Sequence, residues 1–471
     1  MVMKINLREF PHSLSIKKIL GPSFVILALG LGSGEVILWP YLASNYGLGI
    51  VWGAILGITF QFFINMEIER YALLKGESVF VGIAKIWKYS VYWFIFSTFI
   101  GFGLPGIVAA SAKVLAVILG VGDFKWLAIL MLIIIGLILS AGKNVYDQME
   151  KLTKTIILVA VPFIFLLSLF LSAKIDWLTL ASGLVGRGDG FWFLPSGLAL
   201  ATFLAAFSYS GAGGNLNLTQ SIYIKEKGYG MGKYSQKIGG LFHMKEAEKI
   251  RLTGEKFEIN KENVSRYNLW WKIINLEHLL VFWFIGSLSM MFLMILSYST
   301  TFGIGGNAEG INFVITEGRI IGERLYPVFG TMFLLAVSIM LFQTQLGVMD
   351  STSRIMAENT AIIRLKKNPA GKINLSKIYF IFVWAQIAFG VILFLLNINE
   401  PKTLIILGAV INAFAMFIHT GLVAWLNRRS LPKIFHPSRL RKIIISIIFI
   451  FFGFFSLIVL LEKIGVLNVK I

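Results

Sequence analysis

The chain of 471 residues is 57% hydrophobic and only 14% charged, with a mean hydropathy of +0.78. A water-soluble domain of this length needs more charge to cover its surface, so that class is excluded. The net charge of +19 comes from 43 Lys and Arg spread over loops, which suits anionic lipid and not nucleic acid, and the lack of Cys removes disulfides, thiolate metal sites and Cys-attached haem.

Apolar stretches of membrane-spanning length recur at 20–44, 48–74, 91–119, 126–140, 154–172, 193–224, 273–300, 325–349, 378–398, 402–426 and 443–461, the fourth being short. Most Lys and Arg fall in segments 1–19, 75–90, 141–153, 225–272, 350–377 and 427–442. That bias predicts a multi-pass protein of the cell membrane with a cytoplasmic N-terminus and an external C-terminus. Residues 1–19 form the cytoplasmic N-terminal segment. No small-residue cleavage signal follows the first span, which reads as a retained anchor.

The first span contains Gly30-Leu31-Gly32-Ser33-Gly34-Glu35 near its middle. A carboxylate is costly at that depth, and three glycines in five positions weaken the helix around it. Unwinding there frees carbonyls of the incoming half-helix, natural cation ligands, and leaves Glu35 in the first turn of the outgoing half-helix. The pattern returns as Gly211-Ala212-Gly213-Gly214-Asn215, and each break is followed at similar distance by a Gly-rich turn, Tyr46-Gly47-Leu48-Gly49 and Gly228-Tyr229-Gly230-Met231-Gly232. Five spans per half give opposite orientations, hence an inverted repeat with its site at the two breaks. The expected organisation is a first five-helix repeat over 20–172, an external loop over 173–192, a second repeat over 193–426 with a cytoplasmic insertion over 225–272, and an eleventh helix over 443–461.

Within the insertion, 243–249 has the alternating charges of a short surface helix. Segment 301–324 reads as an external loop that either re-enters the membrane or covers the mouth. Glu67 and Glu69 near the end of the second span are expected to pair with Arg70 or to line a proton exit. Asn412 has the best depth among the remaining polar groups, and Gln343, His278 and His419 are further candidates for lining a path. No metalloprotease, Walker or nucleotide-fold motif is present, so the chain reads as not an enzyme and needs no resident cofactor. A gradient-driven carrier for a cation or a small zwitterion fits these residues, with a channel as a further alternative.

Over nearly its whole length the chain resembles the Nramp family of divalent-metal transporters. The likeness lies in Leu20-Gly21-Pro22-Ser23-Phe24, the break through Glu35, and Asn215-Leu216-Asn217-Leu218-Thr219. Gly32-Ser33-Gly34-Glu35 falls where the family carries Asp-Pro-Gly-Asn, and Ala212-Gly213-Gly214-Asn215 where it carries Met-Pro-His-Asn. The resemblance implies an all-α LeuT-like 5+5 inverted repeat with broken first and sixth helices, alternating access, and Gly32, Glu35, Ala212 and Asn215 at the metal positions. The family's proton-linked histidine corresponds to Thr219. Only Gly34 and Asn215 match the motifs, which marks a divergent branch. Loss of the family's thioether removes a soft ligand, leaving a harder cation such as Mg²⁺ or Mn²⁺ as the expected substrate. Proton symport, with Glu35 as the titrating group, and an amino acid or amine carrier stay open at this stage.

Overall fold

The computed structural model describes residues 7–14, 21–141, 145–235, 252–369, 371–463 and 466. The short helix expected over 243–249 lies outside the described residues.

The first span is interrupted as its glycines imply. Pro22 opens α1 (Pro22–Gly30), where its missing N–H costs nothing. The ladder then fails: Gly32 donates to Gly30 at 2.6 Å and not to Ala28. A wide π-helical turn, Ser33–Leu38, leads into α2 (Trp39–Tyr46). The sixth span is interrupted more deeply. α10 (Leu200–Ser208) and α11 (Gln220–Lys227) are joined through Gly211, Gly213 and Gly214, whose φ values of 135, 71 and 49° favour glycine, and through a 3₁₀ stretch over Gly214–Thr219. Both outgoing halves stop on a glycine of positive φ, Gly47 and Gly228.

Between them, α3 (Val51–Lys75) forms the second span, α5 (Ser90–Phe102) with α6 (Gly106–Leu119) the third, α7 (Lys125–Ala141) the short fourth, and α8 (Val145–Leu171) the fifth. In the second half, α12 (Lys261–His278) passes through a π-helical segment, Leu279–Ile285, into α13 (Gly286–Thr301) as the seventh span. α15 (Pro327–Lys367), α16 (Leu375–Leu395) and α17 (Pro401–Ser430) complete the repeat, and α18 (Arg439–Lys463) follows. A short helix trails the second span, α4 (Val79–Ile86), and another trails the seventh, α14 (Asn312–Arg324). This is a further correspondence between the halves. α9 (Lys174–Gly183) and a two-stranded hairpin, β1 (Arg187–Gly188) with β2 (Phe191–Trp192), follow the fifth.

The broken spans lie at the centre: α1 packs on α8 and α15, α2 on α13, and α10 on α17. α18 lies outside against α17, presenting Ile443, Ile447, Ile450, Phe454 and Leu457 outward as a lipid-facing stripe. Within segment 301–324, α14 runs along α15 with Phe313, Val314 and Ile321 buried.

Candidate functional site

The two breaks touch through backbone. A β-carbon on Gly30 would lie 2.6 Å from the backbone of Gly211, and one on Gly34 would lie 1.8 Å from the Tyr209 carbonyl oxygen. Only glycine permits this approach. Polar groups from neighbouring helices take up the backbone left by the broken ladders. The Thr344 hydroxyl donates to the Ala28 carbonyl at 2.9 Å, the acceptor that Gly32 abandons. Gln61 of α3 accepts from the Gly213 N–H at 3.0 Å and donates to the Ser208 carbonyl at 3.0 Å. His419 Nε2 lies 3.0 Å from the Gly214 carbonyl.

Asn412 on α17 sits against the second break. Its amide donates at 2.9 Å to the Gly101 carbonyl, which Pro105 four residues on has no N–H to satisfy, and at 2.9 Å to the Tyr209 hydroxyl. Its oxygen makes no hydrogen bond and lies beside Gly214. Asn215 donates to Ser97 at 2.8 Å and Thr98 at 3.0 Å on α5, again leaving its oxygen unpaired.

Glu35 is fully buried in the π-helical turn, and neither carboxylate oxygen has a hydrogen-bond partner among the described residues. One oxygen faces Gly286, where the seventh span leaves its own π-helical segment, among Ile58 and Leu27. A buried carboxylate without donors is costly, and a bound cation or proton removes that cost. The unpaired groups are therefore the Glu35 carboxylate at the first break and two amide oxygens, of Asn215 and Asn412, at the second, the carbonyls named above being already occupied.

The other candidates divide. Gly32 has no room for a side chain, since Thr344 Oγ1 would lie 2.3 Å from its β-carbon, and Ala212 is an apolar buried neighbour. Thr219 turns its hydroxyl back to the Leu216 carbonyl. Gln343 donates to Thr153 at 2.7 Å and lines a small pocket with Ala28, Leu31 and Met340. Glu67 is held by Nε and Nη2 of Arg70, at 2.9 and 3.1 Å, and by Asn427, which makes it a structural ion pair. Glu69 does not share that pairing; it accepts from Gln220 at 2.7 Å. Ser97, Thr98, Tyr209, Gln61 and Thr344 were not among the sequence candidates. Single hydroxyls and amides in apolar spans carry no signal of which neighbour they meet.

No family model and no curated protein matches the chain. Solved structures do. A crystal structure of an Eremococcus coleocola manganese transporter bound to an aromatic bis-isothiourea compound superposes with a TM-score of 0.69 at 13% identity, covering 98% of this chain and 91% of that one. A histidine-to-alanine mutant of the same transporter gives 0.70 at 12%, with 100% and 93% covered. MhsT in complex with L-phenylalanine gives 0.52 at 13%, with 96% and 99% covered. The chain thus has the LeuT-like inverted-repeat fold. At such identities the likeness fixes the fold alone.

Proposed function

We propose that this protein is a secondary active transporter that moves a divalent metal cation by alternating access, Mg²⁺ or Mn²⁺ being the class of ion its donors suit. The observation that carries this reading is Glu35: a fully buried carboxylate, both oxygens unpaired, in a span whose helix is broken beside it. Asn215 and Asn412 add neutral oxygens at the second break. An all-oxygen set of this kind favours hard ions that retain some water. The Lys and Arg bias supports a cytoplasmic N-terminus.

The test is uptake into proteoliposomes. Saturable Mn²⁺ or Mg²⁺ uptake with counterflow is expected for the wild type, and its loss in a folded Glu35→Gln variant. Unchanged uptake in that variant removes Glu35 from the mechanism. One observation favours a second reading, a carrier for an amine-bearing solute: among the described residues no three His, Cys, Asp or Glu side chains group to hold a metal. Ligand-induced stabilisation separates the two, since saturation at a hundredfold over Kd raises stability by about 2.7 kcal/mol.

A further inference from the structure

At the end of the bundle where α1 begins, four spans meet around a second group of buried side chains distinct from the breaks. Glu277 and His278 close α12, Glu69 comes from α3, Gln220 opens α11, and Ser23 lies in the first turn of α1. All are buried, Ser23, Glu69, Gln220 and His278 completely. The Ser23 hydroxyl donates to Glu277, and the backbone amides of Gly21 and Ser23 point to the same carboxylate. His278 Nδ1 lies 2.8 Å from Ser23 Oγ and 3.4 Å from Glu69 Oε1, and the imidazole is stacked between Phe62 and Phe282. Since the Ser23 proton goes to Glu277, Ser23 accepts from His278, which places a proton on Nδ1.

This constellation holds two carboxylates and one imidazole without a Lys or Arg ion pair to either acid among the described residues. The charges nearest to it are committed elsewhere: Lys154 of α8 to Glu150 at 2.6 Å, and Arg441 of α18 to Asn275 at 2.6 Å. Among the described residues, Tyr146, Tyr229 and Glu150, whose carboxylate lies beside Gly21, also face it. Glu69 Oε2, Glu277 Oε1 and His278 Nε2 have no hydrogen-bond partner among the described residues. Unshared acceptors in a dry acidic pocket with no direct Lys or Arg ion pair among the described residues are places for protons.

We propose that Glu69, Glu277 and His278 form a proton-binding site whose occupancy sets the hold on α1. Glu277 as an anion caps the positive end of the first half-helix through Ser23 and two amides, an arrangement that fastens α1 to α12. A proton added to the group converts an acceptor into a donor and weakens that cap, so α1 is freed to swing out. The three residues titrate together, and the switching pH belongs to the group and not to one member. This deepens the alternating-access reading by supplying a coupling ion and its site away from Glu35.

The chain contains no Cys, so Ala28→Cys in α1, with Ala28 only 3% exposed, introduces a single buried reporter thiol. Its reaction with a water-soluble maleimide is measured on the full chain in detergent, without metal, against Ser438→Cys at an exposed position as the reference for thiol reactivity. The normalised rate is expected to rise at least about fivefold between about pH 8 and about pH 5. It is expected to become flat in Glu69→Gln and in His278→Gln, the variant that stays monodisperse deciding the matter. A flat profile in the parent, or an unchanged rise in a folded variant, overturns the proposal. Because no metal enters the assay, either result stands apart from whether the protein carries divalent ions.

Discussion

The carbonyl oxygen of Tyr209 occupies the space that a side chain on Gly34 would need, at 1.8 Å from the position of its β-carbon. The two interrupted spans are thus locked together by bare backbone at their closest point. Gly34→Ala has no flexible neighbour to displace, because the obstacle is main chain. It is expected to lower stability by about 3 kcal/mol or more and to abolish transport, read by thermal unfolding in detergent and by uptake. A normally stable, active variant would show that the breaks are not in contact.

Asn412 covers the Gly101 carbonyl that Pro105 leaves bare, and also binds the Tyr209 hydroxyl. Asn412→Ala leaves both buried without a partner. A loss of about 1–3 kcal/mol is expected in the same unfolding measurement. Asn412→Asp lets the Tyr209 hydroxyl donate to the carboxylate but still leaves the Gly101 carbonyl without a donor, so a loss within the same range is expected.

Arg354 is completely buried on α15, pairing with Asp350 at 2.9 Å and with Glu226 of α11, while Tyr379 donates to Asp350 at 2.8 Å. This network ties the outgoing half of the sixth span to the eighth. Arg354→Ala strands two carboxylates and should cost roughly 3–5 kcal/mol. Adding Asp350→Asn should restore part of that loss, and a double-mutant cycle on the unfolding midpoint measures the coupling.

Glu317 lies on α14, outside the spanning segments, and is buried with one oxygen unpaired. Burial pushes its carboxyl well above the ordinary range, the Ser297 hydroxyl opposing only in part. The folded protein therefore holds this proton more tightly than the unfolded chain. Its contribution to stability is fully present below the ordinary carboxyl value and is lost as pH rises through the folded one. Glu317→Gln should flatten that slope and raise the unfolding midpoint by at least about 2 °C at alkaline pH. An unchanged pH profile would refute the assignment.

The overall architecture was legible because it depends on length and composition. Runs of apolar residues mark the spans, and glycine density at Gly30–Gly34 and Gly211–Gly214 marks the places where helices fail. The burial of Glu35 was legible for the same reason. The partners were not. Asn215 meets Ser97 and Thr98, separated from it by more than a hundred positions, and nothing in a run of apolar residues encodes that meeting. The π-helical turn opposite Glu35 at Leu279–Ile285 has neither Gly nor Pro to announce it. Glu67 and Glu69 look equivalent in sequence, yet two residues along a helix turn the side chain well around the axis, sending one to Arg70 and the other to Gln220.

Thr344 fills the space in front of Gly32, and this constrains how such a protein diversifies. An acidic residue cannot arise at 32 by one substitution without colliding with that threonine, and shrinking the threonine first uncovers the Ala28 carbonyl. Either single step is unfavourable alone, so the two substitutions are expected to be tolerated only together. The negative charge of this break is thereby kept at 35 and out of reach of 32 by sterics, independently of which solute the protein handles.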